Sequence, residues 1–191
     1  PYILPEYIRQ EFSLAQAFNY LINGGVENPQ ECVPSLQISD QERFAARKTV
    51  FDIKQKHGDK KTVVFQPFGQ SAHFEMIGEE PHIVDTIKRS MNLFMYSSMI
   101  NKLSEKYNVI LFAHSEFHFS NDQYSIKMNG DLRTYMSLIN ECDYFIGVDS
   151  VGQHMARSFE IPGTVIFGST FPENVSYPDW FHVVDKDKTN R

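Results

Sequence analysis

The sequence predicts an α/β fold built on a mainly parallel sheet in three layers. Three observations carry this expectation. Short apolar or β-branched runs recur along the chain, at residues 62–65, 108–113, 144–148 and 164–167. Segments with helical spacing or helix-capping residues separate them. No tight hairpin turn is read between consecutive runs, so the connections are crossovers, and right-handed crossovers give parallel strands with helices on both faces.

The elements follow in order. Leu4, Ile8, Phe12, Ala15 and Phe18 recur at spacings of three and four, which predicts one helix over about residues 5–22, stopped by Asn23-Gly24-Gly25. Residues 26–38 read as a connector with Pro29 and Pro34. Ser39 followed by Glu42 has capping-box spacing and opens a helix carrying Phe44, Val50 and Phe51, which Gly58 ends. After the strand at 62–65 and the loop at 66–71, a long helix is expected from about 81 to 106, with Pro81 in its first turn. Its Met91, Phe94, Met95 and Met99 read as core packing. A strand at 108–113 and a weaker one at 124–127 come next. Asp131 caps a helix through about Asn140, and the strand 144–148 runs into a helix lasting to about Phe159. The strand 164–167 is followed by a small-residue loop, and Val183-Val184 closes the sheet. Residues 1–38 are thus expected to be a helical linking segment and residues 39–191 the α/β domain.

Composition removes several function classes. The 191 residues include 18 Lys and Arg against 24 Asp and Glu, a formal charge of −6. Binding to nucleic acid or an anionic membrane rests on Lys and Arg, so neither is expected. No apolar stretch approaches the roughly 18 residues of a membrane span. Cys32 and Cys142 form neither a disulfide framework nor a metal knuckle, which points to a reducing, cytoplasmic setting. The chain begins at Pro1, and the expectation is that it is part of a longer protein.

Ligands of parallel sheets sit beyond the carboxyl ends of the strands. Three polar loops gather there, at 66–72, 149–154 and 168–172. In the middle one, Asp149 and Ser150 follow a buried strand, and Gly152 is expected to let the backbone approach a ligand at a helix start. Free N–H groups and the positive end of the helix dipole suit such a place to phosphate or another anion. The plainer alternative is that Asp149 or Ser150 only caps its helix. Gly168, Ser169 and Thr170 would supply further backbone and hydroxyl donors.

A serine nucleophile at Ser150 is a weaker alternative. The run from Val148 to Gly152 lacks the first glycine of G-x-S-x-G, and Asp179 and His182 lie close together near the end of the chain. His154 is read as a base, a ligand contact or a residue facing the sheet. His114, Glu116 and His118 follow a strand but fit no zinc spacing, so no metal is expected.

The stretch DSVGQHMARSFEIPGTVIFGSTFP at 149–172 resembles the carboxyl-terminal motif of heptosyltransferase-like glycosyltransferases, family 9 of the GT-B fold. That motif reads roughly D-[ST]-G-x-x-H-x-A, then a proline, an apolar strand and a G-x-T-x-P loop. Asp149, Ser150, His154, Ala156, Pro162, Gly168, Thr170 and Pro172 match in order. The likeness covers about residues 60–180. It implies the Rossmann-like carboxyl-terminal half of a GT-B enzyme, binding a nucleotide-diphosphate sugar donor for inverting transfer to a glycan acceptor. The resemblance puts the donor diphosphate on Ser150, Val151, Gly152 and Gln153, with Asp149 and His154 shaping the site and Gly168, Ser169 and Thr170 beside it. Gly69, Gln70, Ser71, His73, His114 and Glu116 are secondary candidates. Neither a metal nor any other cofactor is implied.

The family also has an amino-terminal acceptor domain, expected to be missing from this chain. It carries a basic residue after the first strand of the donor domain; residues 66–80 hold no Lys or Arg, leaving His73 as the candidate cation. That gap motivates the alternatives: a non-catalytic nucleotide-binding or interaction module on a degenerate GT-B half, or a GT-B nucleotide-sugar epimerase or hydrolase.

Overall fold

The structure, a computed structural model, describes residues 1–25, 33–113, 124–127 and 131–186. In chain order the elements are α1 (Pro5–Ile8), α2 (Leu14–Ile22), α3 (Asp40–His57) and β1 (Thr62–Gln66). A hairpin of β2 (His73–Ile77) and β3 (Glu80–Val84) follows, then α4 (Leu93–Lys106), β4 (Asn108–Ala113) and β5 (Tyr124–Lys127). The remainder is α5 (Leu132–Asn140), β6 (Tyr144–Val148), α6 (Val151–Ser158), β7 (Gly163–Phe167), α7 (Pro172–Val175) and β8 (His182–Asp185).

Six strands form one sheet in the order β5-β4-β1-β6-β7-β8, and every neighbouring pair is parallel. Counted along the chain, this is the doubly wound 3-2-1-4-5-6 order of Rossmann domains. The sheet is built outward in one direction from β1 and then in the other from β6. Gln66 of β1 and Gly147 of β6 are partners at that switch point, where such sheets form their ligand crevice.

Both faces of the sheet are covered, which is why its strands read as apolar runs rather than alternations. Val64, Ile110, Phe145 and Val165 pack against α3, α5 and α6 in one buried cluster. Val63, Phe65, Leu111, Ile146 and Ile166 pack towards Tyr96 and Ile100 of α4 in a second. Each such side chain contributes about 1.5–3 kcal/mol by leaving water. The helix of Ser39 and Gly58 forms as expected: Ser39 and Glu42 make a complete capping box, and Gly58 ends the helix with φ 92°. Glu42 has a second task, taking Arg133 of α5 through Nε at 2.6 Å and Nη2 at 2.7 Å.

Three expectations give way. The helix over 5–22 is two helices, because Gln10 turns at φ 65° and Ser13 with Gln16 starts α2 through its own capping box. The motif Ser13-Leu14-Ala15-Gln16 carries that signal in the sequence. The long helix from Pro81 is also corrected. Residues 73–84 form an antiparallel hairpin around Gly78, which has φ 68°, and the helix begins only after its cap Asn92. Phe94 of α4, expected to pack in the core, points outwards, and so do Phe44 and Phe51 of α3.

The amino-terminal helices dock on the domain through backbone groups. Asn174 Nδ2 donates to the carbonyls of Tyr7 at 2.9 Å and Phe12 at 2.8 Å. Leu36 N–H donates to Ser158 Oγ at 2.7 Å. Among the described residues no helix is long and apolar enough to cross a membrane.

Candidate functional site

The turn from β6 into α6 lies at the switch point. Asp149 is buried, and its carboxylate is spoken for by side chains: Oδ1 accepts from Gln153 Nε2 at 2.9 Å and Oδ2 from Thr170 Oγ1 at 2.8 Å. Gln153 is fully buried and accepts in turn from Ser176 Oγ at 2.7 Å. Ser150 stands at the cap position of α6 but makes no side-chain cap bond; its Oγ accepts from Gln66 Nε2 at 2.9 Å. The capping-only reading therefore fails. Among the described residues no side chain caps the N–H groups of the first turn of α6, from Val151, at the positive end of the helix, although the Gln153 N–H turns back to the Ser150 carbonyl at 3.2 Å. Val151 is exposed there.

Gly152 has a different reason from the one expected. A side chain at this position would run into Gln66 Oε1, Tyr135 OH at 2.6 Å and the Phe145 ring at 2.8 Å. The space its hydrogen leaves is filled by the protein's own buried groups, not by a ligand.

Ser169 and Thr170 also give their hydroxyl protons inside the protein, Ser169 to the Ile87 carbonyl at 2.6 Å and Thr170 to Asp149. Gly168 lets the loop nest on the carbonyl of Lys88, which a side chain would strike. The loop after β7 thus braces residues 87–88, and the next residue, Arg89, reaches the site. Its Nη1 lies 3.8 Å from Asp149 Oδ2, and its Nε is buried with no hydrogen-bond partner among the described residues.

Arg89 is a residue lining this site that sequence reasoning missed. His73, the candidate cation, lies on the hairpin with its Nε2 3.0 Å from Glu75. Gly69 N–H donates to Ser90 Oγ at 2.9 Å and Met91 N–H to the Pro67 carbonyl at 3.0 Å, so the hairpin is an excursion that closes on its own base. Once it is recognised, Lys88-Arg89 is the basic pair that follows β1. Ser71 donates to Asp85 at 2.7 Å, and Gln70 is exposed at the tip of the turn.

Asp85 organises the segment that presents Arg89. Its carboxylate accepts from Ser71 Oγ, from Ser90 Oγ at 2.6 Å, and from the N–H groups of Ile87, Arg89 and Ser90. Burial pushes its pKa up, but the bonds from Ser90, Ser71 and the backbone outweigh it and hold the group at about 2, below the usual 3.8. A depressed carboxylate stabilises the fold above its unfolded pKa, and that contribution is lost as pH falls through the folded one. Asp85→Asn should therefore melt below the parent chain at neutral pH, with a gap that narrows from about pH 4 down to about pH 2. A gap unchanged over that range in calorimetric scans would remove this role.

A cleft of about 350 Å³ opens beside the site, lined by Arg89, Asp149, His154 and Thr170 on one wall and Tyr2 and Tyr7 of the amino-terminal segment on the other. Burial pushes the His154 pKa down while the charge of Asp149 pulls it back up, with a net lowering. Its Nδ1 lies 2.8 Å from Tyr177 OH. Burial, then Tyr2 and then Asp149, pushes the Tyr7 phenol up, so it stays protonated facing that carboxylate.

The serine-nucleophile alternative finds no support in this geometry, since Ser150 follows the carboxyl end of β6 while His182 opens β8 at the opposite edge of the parallel sheet, level with Thr164. His114 and Glu116 lie outside the described residues. Among the described residues no group of three or more His, Cys, Asp or Glu is placed to hold a metal.

This combination, a doubly wound sheet with a helix start and an arginine at its switch point, defines an α/β domain of the Rossmann-like class that binds anionic ligands in many proteins. Solved structures of similar fold are glycosyltransferases. The chain matches a family 9 glycosyltransferase of Veillonella parvula with a TM-score of 0.65 at 14% identity, covering 94% of this chain and 51% of that one. It matches ADP-heptose lipopolysaccharide heptosyltransferase II of E. coli with a TM-score of 0.58 at 17% identity, covering 84% and 47%. An iron-containing dodecameric glycosyltransferase of enterotoxigenic E. coli gives a TM-score of 0.53 at 14% identity, covering 90% and 40%. The chain therefore has the fold of heptosyltransferase-like, family 9 glycosyltransferases and spans about half the length of these structures. No family model matches the chain, and no curated protein matches it in sequence.

Proposed function

We propose that this chain is the donor-binding, carboxyl-terminal half of a GT-B glycosyltransferase. It takes a nucleotide-diphosphate sugar at the start of α6, and the sugar passes to a glycan acceptor with inversion at the anomeric carbon. The observation that carries the reading is the uncapped start of α6 at the switch point, with Arg89 beside it. A diphosphate needs converging donors and positive charge, and this pair supplies both without a metal. Stabilising the departing nucleoside diphosphate is the contribution such a site makes to transfer. The acceptor and the general base belong to an amino-terminal half, with residues 1–38 as the segment between the two, in a cytoplasmic enzyme. Arg89 answers the missing-cation argument for a non-catalytic module.

Thermal melts with ADP, UDP, GDP, CDP and dTDP, each with and without magnesium, test this reading. A ligand at about 100 times its dissociation constant stabilises by about 2.7 kcal/mol, roughly 5–10 °C for a domain of this size. One nucleotide giving that shift without magnesium is the expected result. A cooperatively melting chain that none of the five shifts would refute a donor site in this half.

A further inference from the structure

A chain of buried polar groups under α6 fixes the direction in which one hydrogen points. Tyr135 of α5 is fully buried, with its ring stacked on Phe112 at a centroid distance of 3.5 Å. Its phenol donates to Gln66 Oε1 at 2.9 Å. Burial, and then the neighbouring Cys142, pushes the Tyr135 pKa well up, so the phenol keeps its proton. Gln66 is also fully buried, and with Oε1 taken its Nε2 donates to Ser150 Oγ.

The polarity of this chain is set from its buried end. Turning the Gln66 amide around would make the phenol an acceptor and strand its proton in the core. A buried donor without an acceptor is the costly arrangement. Ser150 therefore receives a proton from Gln66 and must send its own elsewhere. It makes no cap bond within α6. Gly152 leaves room for the Tyr135–Gln66 bond to pass beneath the helix start.

We propose that Gln66 and Tyr135 are positioning residues that hold the Ser150 hydroxyl as an outward donor, selecting a ligand group that only accepts, such as a phosphate oxygen. This rests on the reading of α6 as the donor-diphosphate site.

Gln66→Glu reverses the polarity. An ionised carboxylate only accepts, so it would draw the Ser150 proton inwards; protonated, it donates as the amide does. The parent chain is titrated calorimetrically with the five nucleoside diphosphates, and the tightest binder is carried to the variants together with its nucleoside. Gln66→Glu should lose about 10–150-fold in diphosphate affinity at about pH 8, the range for a bond to a charged group. It should recover towards the parent value at about pH 5, while nucleoside affinity stays the same. A buried charge alone would repel a diphosphate, so the same change is made in a Ser150→Ala chain, where the loss should shrink to less than about threefold.

Equal losses in both backgrounds, or an equal loss for the nucleoside, would overturn the relay and leave the donor site standing. A parent chain that binds none of the five overturns both. Should Gln66→Glu not fold, Tyr135→Phe frees the amide to turn without adding charge. A selective loss of diphosphate affinity is then expected, and its absence refutes the relay.

Discussion

Gly152→Val is expected to melt about 6–12 °C below the parent chain, a loss of about 3 kcal/mol. The glycine sits where the first turn of α6 crosses Gln66, Tyr135 and Phe145. None of these can yield easily: Tyr135 is stacked on Phe112, and Gln66 is the last residue of a central strand. A valine there overpacks the site, which costs about 1–3 kcal/mol, and parts a buried hydrogen-bonded pair at a similar cost. Circular-dichroism melts at fixed protein concentration measure the effect. A variant that melts with the parent would mean that α6 can lift from the sheet, and that the glycine serves the ligand after all.

Arg89→Met should weaken nucleoside-diphosphate binding by about 10–150-fold and leave the parent nucleoside unaffected. The methionine keeps much of the arginine's length and apolar stem but removes charge and donors. Arg89 holds donors in reserve, because its ion pair with Asp149 is long at 3.8 Å and its Nε has no partner among the described residues. An incoming diphosphate would use that capacity. Titration of parent and variant at two salt concentrations reads both the affinity and its screening, which should be shallower without the charge. An Arg89→Met chain that binds the diphosphate as the parent does would place the cationic contact elsewhere.

Much of the sheet was legible because β1, β4, β6 and β7 are buried on both faces and therefore apolar, bounded by turn residues and capped helices. Ser39 with Glu42, Asp131 and the run from Tyr144 to Val148 are cases where local signals and tertiary packing agree. The hairpin was lost because Pro81 also suits a first helical turn, while the period-two pattern of residues 73–77 spans too few residues to outweigh it. With the hairpin went Arg89, which no spacing rule could then bring to the site. Asp149, Ser150 and Thr170 were placed together correctly, since they end neighbouring strands. Their hydrogen-bond partners were not legible: which hydroxyl is free depends on Gln66, Gln153 and Ser176, residues whose importance lies only in being buried.

The closure of the hairpin on its own base has an evolutionary corollary. Because Pro67 and Gly69 are rejoined to Met91 and Ser90 before the chain enters α4, everything between them is a cassette. Its tip at Gly78 can lengthen, shorten or change composition without disturbing the strand register of the sheet. Charge at the site is therefore carried at the anchored base of an insertion outside the six-stranded sheet, tied down through Asp85 and Ser169, and lineages could vary the hairpin tip while that base keeps its place.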